Sequence, residues 1–277
     1  MARKHGIVPD TQAKPGVPLE HMLWAGDYFA EKQPDVIVHV GDHWDMPSLS
    51  SYDKGTMAAE GRAYRDDIEA GNLAMDLFMR PIRAAQERQR RHYGPRSSKV
   101  WRPRLVFCLG NHEQRIMRHI NANPELRGKL GYHDFNLVRH GWEVHEFLKP
   151  VKIDGISYQH YVPHPNTGKP WGGAAERRLT AIGFSHTAGH EQGKKSAERY
   201  LQDGSVHRNL IVGSYYQHNE EYKGHMGNHH WRGIIMKHEV CRGAYDLMEV
   251  SMGYLAKRYY RKYPNASKEA VRYVPSK

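Results

Sequence analysis

The sequence predicts a mixed α/β fold, and three observations carry that expectation. Two runs, residues 36–40 and 105–109, are of strand length and apolar but for His39. Segments whose apolar residues recur at helical spacing alternate with them. The runs end at a glycine followed by polar residues, Gly41-Asp42-His43 and Gly110-Asn111-His112, as in α/β sheets whose ligand-binding loops gather at the strand ends.

Ile7-Val8 leads into Pro9-Asp10 and reads as a first strand. Residues 18–32 have the apolar spacing of a helix through Leu19, Met22, Leu23, Gly26, Phe29 and Ala30, and the strand 36–40 completes a β-α-β unit. Residues 66–89 read as a second helix, and 114–122 as a third that opens directly after Gly110-Asn111-His112-Glu113. From Trp142 onward the pattern turns to strands, at 144–147, 151–153, 156–161, 180–184, 210–212, 234–240 and 245–250. No repeat of solenoid or propeller period is visible. The 277 residues are expected to form a single domain, 1–277, with 200–277 completing the sheet and ending in a basic helix or tail.

Apolar residues at 39%, charged residues at 26%, six Trp and seventeen Tyr are the balance of a folded, soluble chain. The apolar runs are too short to cross a membrane, and the N-terminus passes into a strand without a secretory core, so a cytoplasmic protein without a membrane partner is expected. Cys108 and Cys241 are too few and too isolated for a zinc ribbon or a disulfide framework, and read as buried free thiols. A formal net charge of +11 favours polyanionic partners, nucleic acid first among them. Two basic segments are candidate phosphate-backbone contacts: 88–104, with seven Lys or Arg and no acid, and 254–277. A solvated helix end and a frayed tail are the plainer alternatives.

Twenty His is a high count for this length and directs attention to a metal site. Three strand ends deliver Asp10-Thr11-Gln12, Gly41-Asp42-His43-Trp44-Asp45 and Gly110-Asn111-His112-Glu113. Carboxylate and amide oxygen and imidazole nitrogen are the donors that divalent ions take, and a carboxylate on a tight turn can bridge two of them, which suits Asp42.

In this order the motifs resemble the calcineurin-like metallophosphoesterase superfamily, whose pattern runs D-x-H, G-D-x-x-D, G-N-H-E/D, a lone His and G-H-x-H. Asp10-Thr11-Gln12 stands for the first motif, and the glycine-led segments at 41 and 110 for the next two. His160 looks like the lone His and Gly189-His190-Glu191-Gln192 like the last motif, so the likeness covers roughly residues 5–195. It implies a four-layer sandwich of two mixed β-sheets flanked by α-helices. It also implies two metal sites sharing Asp42, one completed by Asn111, His160 and His190, the other built from Asp10, Gln12 and Gln192. The two Gln replace family His residues that serve one metal. An amide oxygen is harder and neutral, which tilts that site toward manganese or magnesium and weakens it. The expected cofactors are one or two divalent ions, manganese first, with magnesium, zinc or iron as alternatives. His186 competes with His190, but only His190 follows a glycine as in the family turn. Asp45 is expected to cap the turn or orient a ligand.

His112 resembles the family His that stabilises the transition state or protonates the leaving group, which makes His112 and Asp42 the candidate catalytic residues. His43 and Trp44 either pack beneath Asp42 or face substrate. The loop 162–173 offers Lys169 and the Gly172-Gly173 amides to a phosphate, with a plain solvent loop as the alternative, and the His-rich run 218–230 is too irregular in spacing to imply a further metal site. The resemblance implies a metal-dependent phosphoric ester hydrolase in which an activated hydroxide attacks phosphorus. Basic charge favours a phosphodiesterase or nuclease acting on nucleic acid. The D-x-Q and G-H-x-Q variants resemble phosphoesterases carried by bacteriophages, and a phage-encoded protein would be expected in the host cytoplasm. The alternatives are a phosphatase or phosphodiesterase of small nucleotides, and a catalytically idle metal-containing module that binds nucleic acid. A dinucleotide-binding oxidoreductase lacks its G-x-G-x-x-G turn after the first strand.

Overall fold

The computed structural model describes residues 2–220 and 223–275. The strands are β1 (Arg3–Val8), β2 (Val36–His39), β3 (Arg104–Cys108), β4 (Glu143–His145), β5 (Val151–Ile153), β6 (Ile156–Tyr158), β7 (His186–Ala188), β8 (Lys194–Tyr200), β9 (Val206–Val212), β10 (Gly233–Cys241) and β11 (Ala244–Ser251). The helices are α1 (His21–Lys32), α2 (Tyr64–Tyr93), α3 (Gln114–Ala122), α4 (Leu137–His140), α5 (Ala175–Ile182), α6 (Gly224–Gly227) and α7 (Met252–Lys262).

Two mixed sheets result, one in the order β11-β10-β1-β2-β3-β4, the other β5-β6-β7-β9-β8. Strand alternation explains how they stack. Val36, Val38, Val106 and Cys108 share a core with Ile153, Ile156, Tyr158 and Leu210 of the second sheet, while Ile37 and Phe107 face a separate core with α1 and α2. Both faces of β2 and β3 are therefore covered, which is why residues 36–38 and 105–108 are apolar without interruption. At Gly26 of α1, an added Cβ would meet Pro81 and the Phe78 carbonyl of α2, so glycine sets the helix separation. On the outer face of the second sheet, Asn209 of β9 donates to the Ala175 carbonyl of α5. Among the described residues, no helix is long and apolar enough to cross a membrane.

Four expectations are corrected. Residues 180–184 are not a strand: 180–182 finish α5, whose buried Ala175, Arg178 and Leu179 lie at helical spacing. β6 and β7 are parallel neighbours, and a parallel pair needs a crossover rather than a hairpin. β8 was not expected, because its sequence KKSAERY is charged and only partly covered, as an edge strand can be. The run 156–161 is strand only to Tyr158, which leaves His160 in the loop beyond. Cys108 is buried, but Cys241 ends β10 at a turn and is exposed.

The basic segments also acquire positions. Residues 88–104 span the end of α2 and the start of β3, with the Trp101 indole donating to the Pro34 carbonyl just before β2. That is the end of the sheet opposite Asn111, roughly 20 Å away at the rise of a β-strand. From 254 onward the chain is pinned rather than frayed. Arg258 and Lys262 pair with Asp27 at 2.9 and 2.7 Å, Leu19 donates to the Val271 carbonyl, and the Tyr273 hydroxyl reaches Glu69 at 2.6 Å. Residues 276–277 lie outside the described residues.

Between the sheets lies a buried cation, Lys237. Its ammonium donates to the Thr187 hydroxyl and sits 4.2 Å from the Tyr245 ring centroid and 4.8 Å from that of Tyr158. Burial, with Arg208 adding to it, pulls its pKa well below the ordinary 10.5. The unfolded chain therefore holds more protons than the folded one below 10.5, and stability rises with pH. Lys237→Met is expected to stabilise the fold by about 1–2 kcal/mol at pH 7, an advantage that shrinks as pH approaches 10. Denaturant unfolding of both proteins at pH 7 and 9.5 measures this, and a destabilised variant at both pH values would mean that the aromatic cage outweighs desolvation.

Candidate metal centre

The strands β1, β2 and β3 are parallel, as are β6, β7 and β9, so the loops after β1, β2, β3, β6 and β7 meet at one edge of the sandwich. These loops carry Asp10, Asp42, Asn111, His160 and His190. Main-chain bonds knit them together: the Asp42 carbonyl accepts from the Thr11 and Gln12 N–H groups at 3.1 and 2.9 Å, and the His43 carbonyl from Ala13 at 2.7 Å. At Gly41, with φ +98°, an added Cβ would stand 2.6 Å from the Cys108 carbonyl and the Gly110 nitrogen, so only glycine lets the second and third loops touch. Gln12, Asp42, His190 and Gln192 all hold left-handed φ values, of 41°, 52°, 70° and 60°. Non-glycine residues in that region cost energy and cluster at functional sites.

Glu113 anchors the arrangement. Its carboxylate is fully buried; Oε1 accepts from the His43 and Trp44 N–H groups at 2.6 and 3.0 Å, and Oε2 from Gly110 and Asp42 at 2.7 and 3.0 Å. Burial and the neighbouring Asp42 push this carboxyl up, against the pull of the Gly110 N–H.

Asp42, His160 and His190 form a cluster that could hold a metal ion, the only such His/Cys/Asp/Glu group among the described residues. Asn111 joins them: its Oδ1 lies 2.8 Å from His160 Nε2 and 2.8 Å from His190 Nδ1. His160 Nε2 is 3.3 Å from both Asp42 Oδ2 and His190 Nδ1. The other ring nitrogen of His160, Nδ1, is 2.8 Å from the Val40 carbonyl, which can only accept. Neutral His160 therefore has its proton on Nδ1 and aims a lone pair into the cluster. Asp42 Oδ2, Asn111 Oδ1, His160 Nε2 and His190 Nδ1 thus lie within ligand distance of one another, an arrangement that could hold a cation. Without a metal a proton serves: burial opposes the imidazolium, but Asp42 and Asp10 raise His160 to about 9. His190 is instead lowered to about 4, first by burial and then by His160, so it presents a neutral nitrogen.

Asp10 is fully buried and accepts the His190 N–H through both oxygens, at 3.2 and 3.0 Å; burial raises its carboxyl to about 7. Gln12 is buried with neither amide atom hydrogen-bonded, an orphan polar group that calls for a partner. Gln192 is less free, because its Oε1 accepts the Tyr216 hydroxyl at 2.7 Å. Asp10 is thereby held directly beside the cluster.

His112 donates its N–H to Asp42 Oδ1 at 3.0 Å, and its ring spans two carboxylates, with Nδ1 2.7 Å from Asp45 Oδ1 and Nε2 3.7 Å from Asp42 Oδ2. Burial works against its charge, yet Asp42 and Asp45 raise it. Asp45 thus orients His112 and is held in turn by Lys14 at 3.0 Å, which also bonds Glu220 at 2.8 Å. His43 and Trp44 pack beneath: His43 bonds the Thr11 hydroxyl and the Gly71 carbonyl, and Trp44 stacks on Phe135 at 4.1 Å. His186 lies within β7, with Nδ1 on the Phe184 carbonyl. In the run 218–230, His218 pairs with Glu220 and His230 bonds the Ser214 hydroxyl, while residues 221–222 and the side chain of His225 lie outside the described residues. The loop 162–173 is partly ordered by His164 against Trp171, and Lys169 is exposed.

The roles of Glu113, Lys14, Glu220 and Arg115 were not anticipated. The guanidinium of Arg115 donates to the Asp45 and Met46 carbonyls at 2.7 and 3.2 Å and lies 3.3 Å from His112 Nε2. Its place in the first turn of a helix that leaves the site directly was the available signal. No family model matches this chain, and no curated protein does.

Proposed function

We propose that the protein is a metal-dependent phosphoesterase of the calcineurin-like kind, a phosphodiesterase acting on nucleic acid. The carrying observation is the convergence of the side chains of Asp42, Asn111, His160 and His190 on one point. Two stacked sheets with helices outside agree with a four-layer sandwich. A divalent ion held by these four, and a second beside Asp10 and Gln12, would activate water and neutralise phosphate charge. Manganese or magnesium suits the amide and carboxylate donors of the second position.

The remaining chemistry falls to the chain itself. Val40 locks the His160 ring and Asp45 locks that of His112, so neither ligand nor acid must reorganise during reaction. His112 Nε2 faces the cluster, and Asp42 and Asp45 favour the charged form of its ring against burial, which makes it the group placed to pass a proton to the departing oxygen. His112→Ala is expected to lower kcat about 100- to 1,000-fold while metal content stays at the wild-type level. Elemental analysis alongside turnover checks both, and loss of metal would recast His112 as a structural residue.

The reading is tested by stripping the protein of metal and assaying bis-p-nitrophenyl phosphate, p-nitrophenyl phosphate and single- and double-stranded DNA with manganese, magnesium, zinc or no ion. Diester cleavage restored by manganese is expected. Metal binding without turnover on any substrate would leave the idle binding module standing.

A further inference from the structure

The segment 88–104 is at the far end of the sheet and Arg258 and Lys262 pair with Asp27, whereas α3 brings two arginines to the cluster. Arg115 turns inward to Asp45, Met46 and His112. Arg118, one turn later, turns the other way: it is exposed, and its Nη2 donates to the Asn111 carbonyl at 2.9 Å. That bond keeps the guanidinium one residue from the cluster and leaves most of its fork of donors facing outward.

Beside it stands an aromatic wall. The half-buried Tyr161 ring lies 4.9 Å from that of His190 and 5.5 Å, edge on, from Phe147, which is itself 6.2 Å from His160. Asn111 Oδ1 lies 2.8 Å from His190 Nδ1, so the cation held by the Asn111 carbonyl and the ring set against His190 both border the cluster.

We propose that Arg118 and Tyr161 form a subsite for the nucleotide unit next to the scissile phosphate, the guanidinium taking the neighbouring backbone phosphate and the ring stacking on the base. Such a pair suits single-stranded nucleic acid, where phosphates set position and exposed bases stack on aromatic rings. It also assigns the two arginines different tasks: Arg115 belongs to the reacting phosphate and His112, Arg118 to the adjoining one. The inference rests on the phosphodiesterase reading above, and the test separates the two.

The comparison uses an eight-nucleotide oligothymidylate and bis-p-nitrophenyl phosphate, which has no second phosphate. Arg118→Ala is expected to lose at least about tenfold more kcat/KM on the oligonucleotide than on the small diester, as loss of a charge-assisted bond implies, with Arg118→Lys in between. Tyr161→Leu, which keeps apolar packing against His190, should lose about fivefold or more in oligonucleotide affinity, and Tyr161→Phe little, as base stacking requires. Affinity is read by fluorescence anisotropy of the labelled oligonucleotide with calcium present. Equal losses on both substrates, or none on either, would overturn the subsite while leaving the phosphodiesterase intact. If the wild type cleaves no diester with any ion, the enzyme reading fails and anisotropy decides alone: Arg118-dependent binding sustains the subsite, and absent or Arg118-independent binding overturns it.

Discussion

Replacing Asp42 by Ala is expected to remove bound metal and to lower diester hydrolysis at least about 1,000-fold, since the ion's contribution to such reactions is several kcal/mol. Asp42 Oδ2 is the anionic donor of the cluster, and its Oδ1 accepts the His112 N–H. Two imidazoles and an amide are neutral donors and leave the positive charge uncompensated in a buried place. Although burial opposes it, His112 and His160 keep the Asp42 carboxyl far below the ordinary range, so it is ionised at any working pH. Asp42→Asn separates charge from shape: it preserves the outline of the side chain and should still lose the ion. Elemental analysis and the metal-dependent rise in melting temperature read this out, because a ligand that binds only the folded state stabilises it. An Asp42→Asn protein that keeps its metal and its activity would sink the assignment of the cluster.

Glu113→Gln is expected to lower stability by about 3 kcal/mol and the melting temperature by roughly 10 °C. Each carboxylate oxygen accepts two backbone N–H groups. Turning one oxygen into an amide NH2 sets donor against donor and strands two N–H groups in a buried place. The loss should also weaken metal binding, because the stranded groups belong to the loop that presents Asp42. Calorimetry with and without manganese tests both effects. A variant with an unchanged melting temperature and a large loss of turnover would move Glu113 from the scaffold to the chemistry.

Much of the centre was legible in the sequence because its donors sit where apolar strand-length runs stop. Gly41-Asp42 and Gly110-Asn111 could be read as strand ends from the valines and leucines before them, and both do lie beyond β2 and β3. His160 and His190 could be named only by resemblance: β6 and β7 are three residues each, too short to show a period. The choice between His186 and His190 turned on one glycine. In the structure His186 is committed within β7, whereas His190 lies beside Asn111.

The sequence by itself determined the chemistry on offer: carboxylates, amides and imidazoles at strand ends, strands buried on both faces, and a strongly basic chain. Those properties are local, set by residue type and by a period of two or about four. Only the tertiary structure decided which of them meet. It placed the basic run 88–104 at the far end of the sheet, wound 180–182 into a crossover helix despite the β-branched Thr180 and Ile182, and buried Lys237 between two sheets. Glu113 is the clearest case. Nothing local distinguishes its carboxylate from any other at a helix start, and its partners at 42, 43 and 44 lie 69 to 71 residues away. Convergence of distant loops depends on strand order and direction, which the packing of whole sheets selects and no short window of residues contains.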